Sequence, residues 1–264
     1  MLELIDLDRS VPKEDYDRLM PGLQTRLYDL ERAVSEAGIP AAIVFEGWSA
    51  AGKAGAIRTM TARLDPRGST VVPILPPRTL ETQFPWLHRF WLKLPARGQM
   101  VIFDTSWYRR VLIERIDRVI SKRQVNEAYL DIVEFEETLA ADGTVIVKFW
   151  LHIDRKEQAR RFKRLLADPL TAWQVGEEDR MQQRRYPAYL GAVEEMLVRT
   201  DTAAAPWTIV EATDRRFARA KVMEATIATL ESALARAGAP APPAVDGDAE
   251  PDAEAEAEAE ATDA

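Results

Sequence analysis

Two glycines five residues apart, Gly47 and Gly52, with Lys53 directly after the second, follow an apolar run in the string IVFEGWSAAGKAGA. Glycines at that spacing let backbone N–H groups turn inward around an anion, and a helix starting there points its positive end at the same spot. Lys53 then lies along the outer phosphates of a nucleotide, so the string has the parts of a phosphate-binding loop. The usual pattern ends in a hydroxyl residue that binds magnesium. Here Ala54 and Gly55 follow Lys53, and the metal ligand must come from elsewhere.

Asp104 is the second residue with chemistry in it. It closes the apolar run QMVIFD, which puts a carboxylate at the carboxyl edge of a sheet beside the first loop, where phosphoryl-transfer proteins hold magnesium directly or through water. The sequence Asp104-Thr105-Ser106 also suits a helix cap, and both roles stay open for Asp104. Basic residues crowd nearby: Arg109 and Arg110, then Arg155, Lys156, Arg160, Arg161, Lys163 and Arg164, then Arg180, Arg184 and Arg185. On a helix, Arg160, Lys163 and Arg164 share a face. A charge run of this kind is ordinarily a solvated face; beside a phosphate loop it is also a clamp for the spread charge of phosphoryl transfer.

The elements that must position these residues alternate. Helical periodicity runs over 13–37, strand patterning over 41–45, and a helix over 54–63. Strands are expected at 69–75, 99–104, 144–151 and 207–210, and helices at 80–94, 124–140, 154–167, 177–200 and 214–237. Strands alternating with helices imply an α/β fold with a parallel sheet covered on both faces.

Composition narrows the function classes. There is no cysteine, which excludes disulfides, thiol catalysis and cysteine metal sites, and the two histidines, His88 and His152, cannot build a histidine-rich centre. His152 reads as a packed residue. No apolar run approaches the length of a membrane helix and the amino-terminal residues lack a signal-peptide pattern, so the expectation is a cytoplasmic protein. The net charge of −8 misleads, because residues 246–264 contribute nine acids and no base, leaving +1 on residues 1–245. That acidic stretch and the proline-alanine segment before it have little to bury and are expected to be disordered over 239–264. The nearly neutral remainder is not a general nucleic-acid binder.

Taken in order, FEGWSAAGKAGAIR, VVPI, WLHRFWLKLPARG, FDTSWYRRVLIER, VIVKFWLHI, EQARRFKR and RTDTAAAPWTIVEATDRRFARAKV resemble the second family of polyphosphate kinases, especially the polyphosphate:AMP phosphotransferase branch. The likeness spans the whole folded chain. It implies a P-loop kinase-like three-layer sandwich over residues 1–238 with a helical lid at about 155–190. The implied activity is magnesium-dependent phosphoryl transfer between inorganic polyphosphate and a nucleoside mono- or diphosphate (AMP or ADP, GMP or GDP) in a homo-oligomer. By the same resemblance Lys53, Asp104 and Arg110 are catalytic, with Asp104 the metal ligand. Gly47, Ser49, Gly52, Lys53, Gly55, Arg160, Arg161 and Arg164 are the phosphate- and nucleotide-binding residues.

Four departures from the family pattern bear on turnover. An acid is usual where this chain has Ser49, and an arginine where it has Thr105. A frequent Trp-Lys pair becomes Trp173-Gln174, and a frequent Trp-Asp pair becomes Tyr186-Pro187. Glu46 is a possible replacement for the loop acid. Two readings follow: an active phosphotransferase, or a degenerate relative that binds nucleotide or polyphosphate as a regulatory or partner subunit.

Overall fold

Ala41–Gly47 forms β1 and is buried along its whole length, as an apolar strand enclosed on both faces must be. It sits at the centre of a five-stranded sheet with β2 (Ser69–Pro73), β3 (Met100–Asp104), β4 (Val145–His152) and β5 (Trp207–Glu211) in the order β2-β3-β1-β4-β5. Every neighbouring pair is parallel, with Phe45 opposite both Asp104 on β3 and Phe149 on β4. The strand order reverses at β1. In parallel sheets the crevice for a ligand lies at the carboxyl ends of the strands where that reversal occurs. The structure is a computed structural model and describes residues 1–243.

The helices in chain order are α1 (Lys13–Glu36), α2 (Lys53–Thr61), α3 (His88–Trp91), α4 (Ile113–Ile116), α5 (Lys122–Ala141), α6 (Arg155–Ala167), α7 (Glu177–Arg184), α8 (Tyr186–Thr200) and α9 (Arg215–Arg236). α1 packs along α9 and α2 touches α9, while α5 packs with α8 and against β4, so the sheet is covered on both faces. Among the described residues no helix is long and apolar enough to cross a membrane.

Most expected elements form within a residue or two of their sequence bounds, and two do not. The helix expected over 80–94 is a short 3₁₀ turn followed by the single turn of α3. Pro85 forces Phe84 into extended backbone, φ −115° and ψ 162°, and Phe84 and Trp91 are left about half exposed while only Phe90 of that tract is fully buried. The single helix expected over 177–200 is broken at Arg185 into α7 and α8, with Pro187 in the first turn of the second. The start of α5 is earlier than expected because Ser121 and Gln124 close a capping box.

The tail expected from residue 239 begins differently. Arg26 on α1 donates to the carbonyls of Pro242 and Pro243 at 2.6 and 3.0 Å, which holds residues 239–243 against α1. The acidic stretch lies outside the described residues.

Candidate active site

The turn after β1 has the geometry its glycines predict. Gly47 has φ 152°, and a Cβ there would stand 2.6 Å from the Leu151 carbonyl of β4; no other residue fits so close to the neighbouring strand. Gly52 has φ 109° and caps α2. Ala50 between them also has positive φ, 62°, unusual for a residue with a Cβ. Lys53 folds back over the turn and donates to the Gly47 carbonyl at 3.2 Å. Trp48 is fully buried, stacks on Tyr186 of α8 at 4.2 Å and donates from Nε1 to His152 Nδ1. His152 is therefore packed, as expected, and burial pulls its pKa down to about 4.

The segment expected to act as a lid touches this turn in three places. Gln182 of α7 accepts from the Ser49 N–H at 2.7 Å, and Gln158 of α6 donates to both Gln182 and the Ser49 carbonyl. Arg161 of α6 donates to the Ala50 and Ala51 carbonyls, each at 2.9 Å.

Around the turn opens a cavity of about 540 Å³ lined by Ser49, Lys53, Gly55, Arg58, Asp104, Trp173, Asp179, Arg215 and Arg219. Gly47 forms the strand-side base of the turn and Gly52 and Gly55 its helix-side wall; a Cβ at Gly55 would meet the Arg219 guanidinium at 3.1 Å. The cations facing this cavity are Lys53, Arg58, Arg215 and Arg219. Arg215 is pushed below its ordinary pKa first by burial and then by the nearby guanidinium charges of Arg161, Arg164 and Arg219. Arg164 belongs to that crowd.

Arg160 and Arg161 do not face the cavity. Arg160 is exposed and forks onto Glu157. Arg161 is buried, with its donors taken by backbone carbonyls and Glu157. The family resemblance implies phosphate contacts for both; the docking of α6 against the turn puts Arg161 on backbone carbonyls, and Arg160 pairs with Glu157. Arg58, Arg215, Arg219, Trp173 and Asp179 were missed. For Arg58 the available signal was its place one turn into the helix after the loop. For Arg215 and Arg219 only the three-dimensional closure of α9 over α2 brings them in.

Asp104 ends β3 at the cavity wall, half-buried, and among the described residues no donor engages its carboxylate. The cap expected there is supplied instead by Ser106, whose hydroxyl accepts from the Tyr108 N–H. Ser106 in turn donates its N–H and hydroxyl to Glu46 Oε1, both at 2.8 Å. Burial raises the Glu46 carboxyl to about 7, against the pull of the Ser106 bonds and Lys53. Glu46 is therefore bound to Ser106 rather than standing in for the acid absent at Ser49. Thr105 sits between them at φ 64°.

Arg110 lies on the other side of this segment, in a second cavity of about 240 Å³ walled by Phe84, Trp86, Phe90 and Trp107 with Arg89 and Arg109. Its guanidinium pairs with Glu114 at 2.8 Å and stands over the Trp86 ring. Among the described residues the Nε atoms of Arg89, Arg109 and Arg110 are all buried without a partner, which buried donors rarely are. Arg109 is bidentate to Glu178 of α7. Residues 104–110 thus separate a turn lined by cations from an aromatic pocket rich in arginine.

Residues 10–237 match the family model described as Polyphosphate kinase 2 (PPK2). The chain is 43% identical over 236 residues to a polyphosphate:AMP phosphotransferase of Pseudomonas syringae pv. tomato, covering 89% of this chain and 47% of that protein. It is 37% identical over 210 residues to ADP-polyphosphate phosphotransferase 2 of Rhizobium meliloti, covering 80% of this chain and 69% of that protein. A solved polyphosphate kinase 2 structure from Pseudomonas aeruginosa superposes with a TM-score of 0.86 at 42% identity, covering 89% of this chain and 50% of that one. A second, from Arthrobacter aurescens, gives 0.85 at 26% identity over 98% and 93% of the two chains. The chain spans about half the length of the first curated relatives it matches.

Proposed function

The chain belongs to the polyphosphate kinase 2 family, and from that premise we propose that it transfers a phosphoryl group between inorganic polyphosphate and a nucleoside mono- or diphosphate, with magnesium. The observation that carries the reading is the pair of cavities on either side of residues 104–110: four cations around the phosphate turn on one side, aromatic walls with three arginines on the other. Relatives named for AMP, ADP and NDP phosphotransfer with polyphosphate supply the substrate class.

In this reading polyphosphate lies on the turn, with its charge met by Lys53, Arg58, Arg215 and Arg219. The acceptor base stacks among Phe84, Trp86 and Phe90, and its phosphate meets Arg89, Arg109 and Arg110. The attacking atom is a phosphate oxygen already ionised at neutral pH, so no general base is required. Catalysis is then positioning plus neutralisation of charge on the transferred group. Helices α6 and α7 exclude water from the cavity above the turn. Arg160 and Arg161, read from the sequence as phosphate ligands, are not assigned that role.

Magnesium takes one or two carboxylates and fills its remaining positions with water and substrate phosphates, and Asp104, with its carboxylate free at the cavity wall, fits that need. When bound there, the ion would be held by Asp104 and would supply positive charge that offsets the negative charge of the phosphate groups. Homo-oligomeric assembly and a cytoplasmic location are part of the same proposal; the first rests on the resemblance and the second on the sequence patterning.

The test is direct. Purified protein with magnesium and long-chain polyphosphate is offered AMP, ADP, GMP and GDP in turn. Formation of the next higher phosphate, lost in Lys53→Ala, supports the proposal. Tight binding of both substrates with no product in any combination would sink it in favour of a binding protein.

A further inference from the structure

Arg161 is the most heavily engaged side chain near the turn. Its Nη1 donates to the carbonyls of Ala50 and Ala51 at 2.9 Å each, and its Nη2 to those of Ala212 and Thr213 at 2.7 and 2.8 Å. Its Nε donates to Glu157 one turn earlier on α6. The side chain is about 3% exposed. One guanidinium therefore joins three segments: the phosphate turn, α6, and the link from β5 to α9.

The directions of these bonds matter. A peptide group's carbonyl and the N–H across the same peptide bond point opposite ways, so a carbonyl held outward turns the next N–H inward. The carbonyls of Ala50 and Ala51 precede the N–H groups of Ala51 and Gly52. The Ala51 N–H is used within the turn, donating to the Trp48 carbonyl, whereas among the described residues the Gly52 N–H has no acceptor. Ala50 is held at positive φ, a conformation costing on the order of 1 kcal/mol for a residue with a Cβ, and one that persists only where surroundings over-determine it. Two bonds from a buried charge to that stretch are such a restraint. The other two acceptors, Ala212 and Thr213, immediately precede Asp214, which caps α9. Arg215 and Arg219 follow on α9 and face the same cavity.

We propose that Arg161 is a positioning residue: it touches no phosphate, and it sets the register between the amides of the turn and the arginines of α9 so that both address the same polyphosphate segment. A charge run read as a substrate clamp then includes one member that builds the site from behind. The inference rests on the proposed function for the identity of the anion.

Steady-state transfer from polyphosphate to AMP tests it, with folding checked by circular dichroism and thermal melting. Arg161→Lys keeps the charge and loses the planar fork. The expected result is a fall of about a hundredfold in kcat/KM for polyphosphate that includes a raised KM for polyphosphate, with KM for AMP within about twofold of wild type, because the acceptor cavity does not use this brace. A purely structural role lowers the folded fraction, which reduces apparent kcat and moves neither KM. If Arg161→Lys does not fold, Glu157→Gln weakens the same brace and raises KM for polyphosphate about threefold, again without moving KM for AMP. Unchanged KM for polyphosphate, or KM values for both substrates rising together, overturns the proposal. Lys53→Ala run alongside separates the two failures: full activity in that variant refutes the phosphate-turn reading itself, whereas loss in Lys53→Ala with wild-type kinetics in Arg161→Lys refutes only the role of Arg161.

Discussion

The indole N–H of Trp48 donates to Nδ1 of His152 across 3.0 Å, so the first residue of the turn after β1 hangs from the carboxyl end of β4. The bond requires His152 to be neutral with its proton on Nε2. Protonating Nδ1 would set two donors against each other in a buried place.

That relationship gives stability a pH dependence. Burial lowers His152 from 6.5 to about 4, so between those values the unfolded chain binds the extra proton and stability falls as pH falls. The contribution is complete above pH 6.5 and is lost progressively down to about 4, at roughly 1.4 kcal/mol per pH unit. Glu46 acts in the opposite sense: raised from 4.5 to about 7, it favours the folded state at low pH, and that contribution is lost as pH rises from 4.5 to 7. The two slopes oppose, so the histidine is seen only by difference. Urea unfolding at pH 7.5 and 5.5 should show wild type losing about 1 kcal/mol more than His152→Phe over that interval.

Thr105 has φ 64° between Asp104 and Ser106. A β-branched side chain is disfavoured there, whereas asparagine tolerates the left-handed region. Thr105→Asn is expected to raise unfolding free energy by about 1 kcal/mol in urea titrations. An unchanged or lower value would show that the threonine makes compensating contacts.

Lys148 is wholly buried on β4. It donates to Glu136 of α5 at 2.7 Å, to the Tyr108 hydroxyl and to the Thr200 carbonyl, both at 2.8 Å. Glu136 also accepts from Trp107 and Tyr108. Glu136→Leu alone strands a buried ammonium and should cost about 3–5 kcal/mol, whereas adding Lys148→Met should recover most of that loss. A double-mutant cycle by denaturant titration measures the coupling. Additive effects would mean the pair contributes little beyond packing.

What was legible in the chain follows from how local the signal is. Gly47, Gly52 and Lys53 act within one turn of backbone, and strand-ending Asp104 needs only an apolar run before it; both stand where their spacing put them. Arg161 has the same local signature as Arg164, and only the docking of α6 on the turn distinguishes a brace from a member of the cationic crowd. Arg215 and Arg219 enter from the far end of the chain, where no short-range pattern connects them to Lys53. The broken helices at Phe84 and Arg185 were marked by Pro85 and Pro187, a local signal outweighed in the reading by hydrophobic periodicity.

The aromatic pocket makes a prediction separable from the phosphate turn. Arg109 has both terminal nitrogens on Glu178 and a buried Nε with no partner among the described residues. Under the proposed function Arg109→Lys raises KM for the acceptor nucleotide by about tenfold and leaves KM for polyphosphate unchanged, since a lysine cannot reproduce the planar fork. Initial rates at varied acceptor and fixed polyphosphate are the measurement. A change in KM for polyphosphate instead would put the donor in this pocket.

Ser49 lines the cavity around the turn with Asp104 and Lys53. Its N–H is already held by Gln182, so a carboxylate placed there alters charge without releasing the turn. A second acid beside Asp104 strengthens attraction for a divalent cation, and two carboxylates with substrate phosphates suit magnesium. Ser49→Asp is therefore expected to lower the magnesium concentration giving half-maximal transfer by about tenfold. The same change brings negative charge toward polyphosphate, so the benefit should shrink at saturating magnesium, where the cation is no longer limiting. Activity titrated with magnesium at fixed polyphosphate and AMP distinguishes the outcomes. If half-saturation is unmoved and turnover falls at every magnesium concentration, the cavity is built around a neutral residue at this position, and Asp104 alone holds the cation.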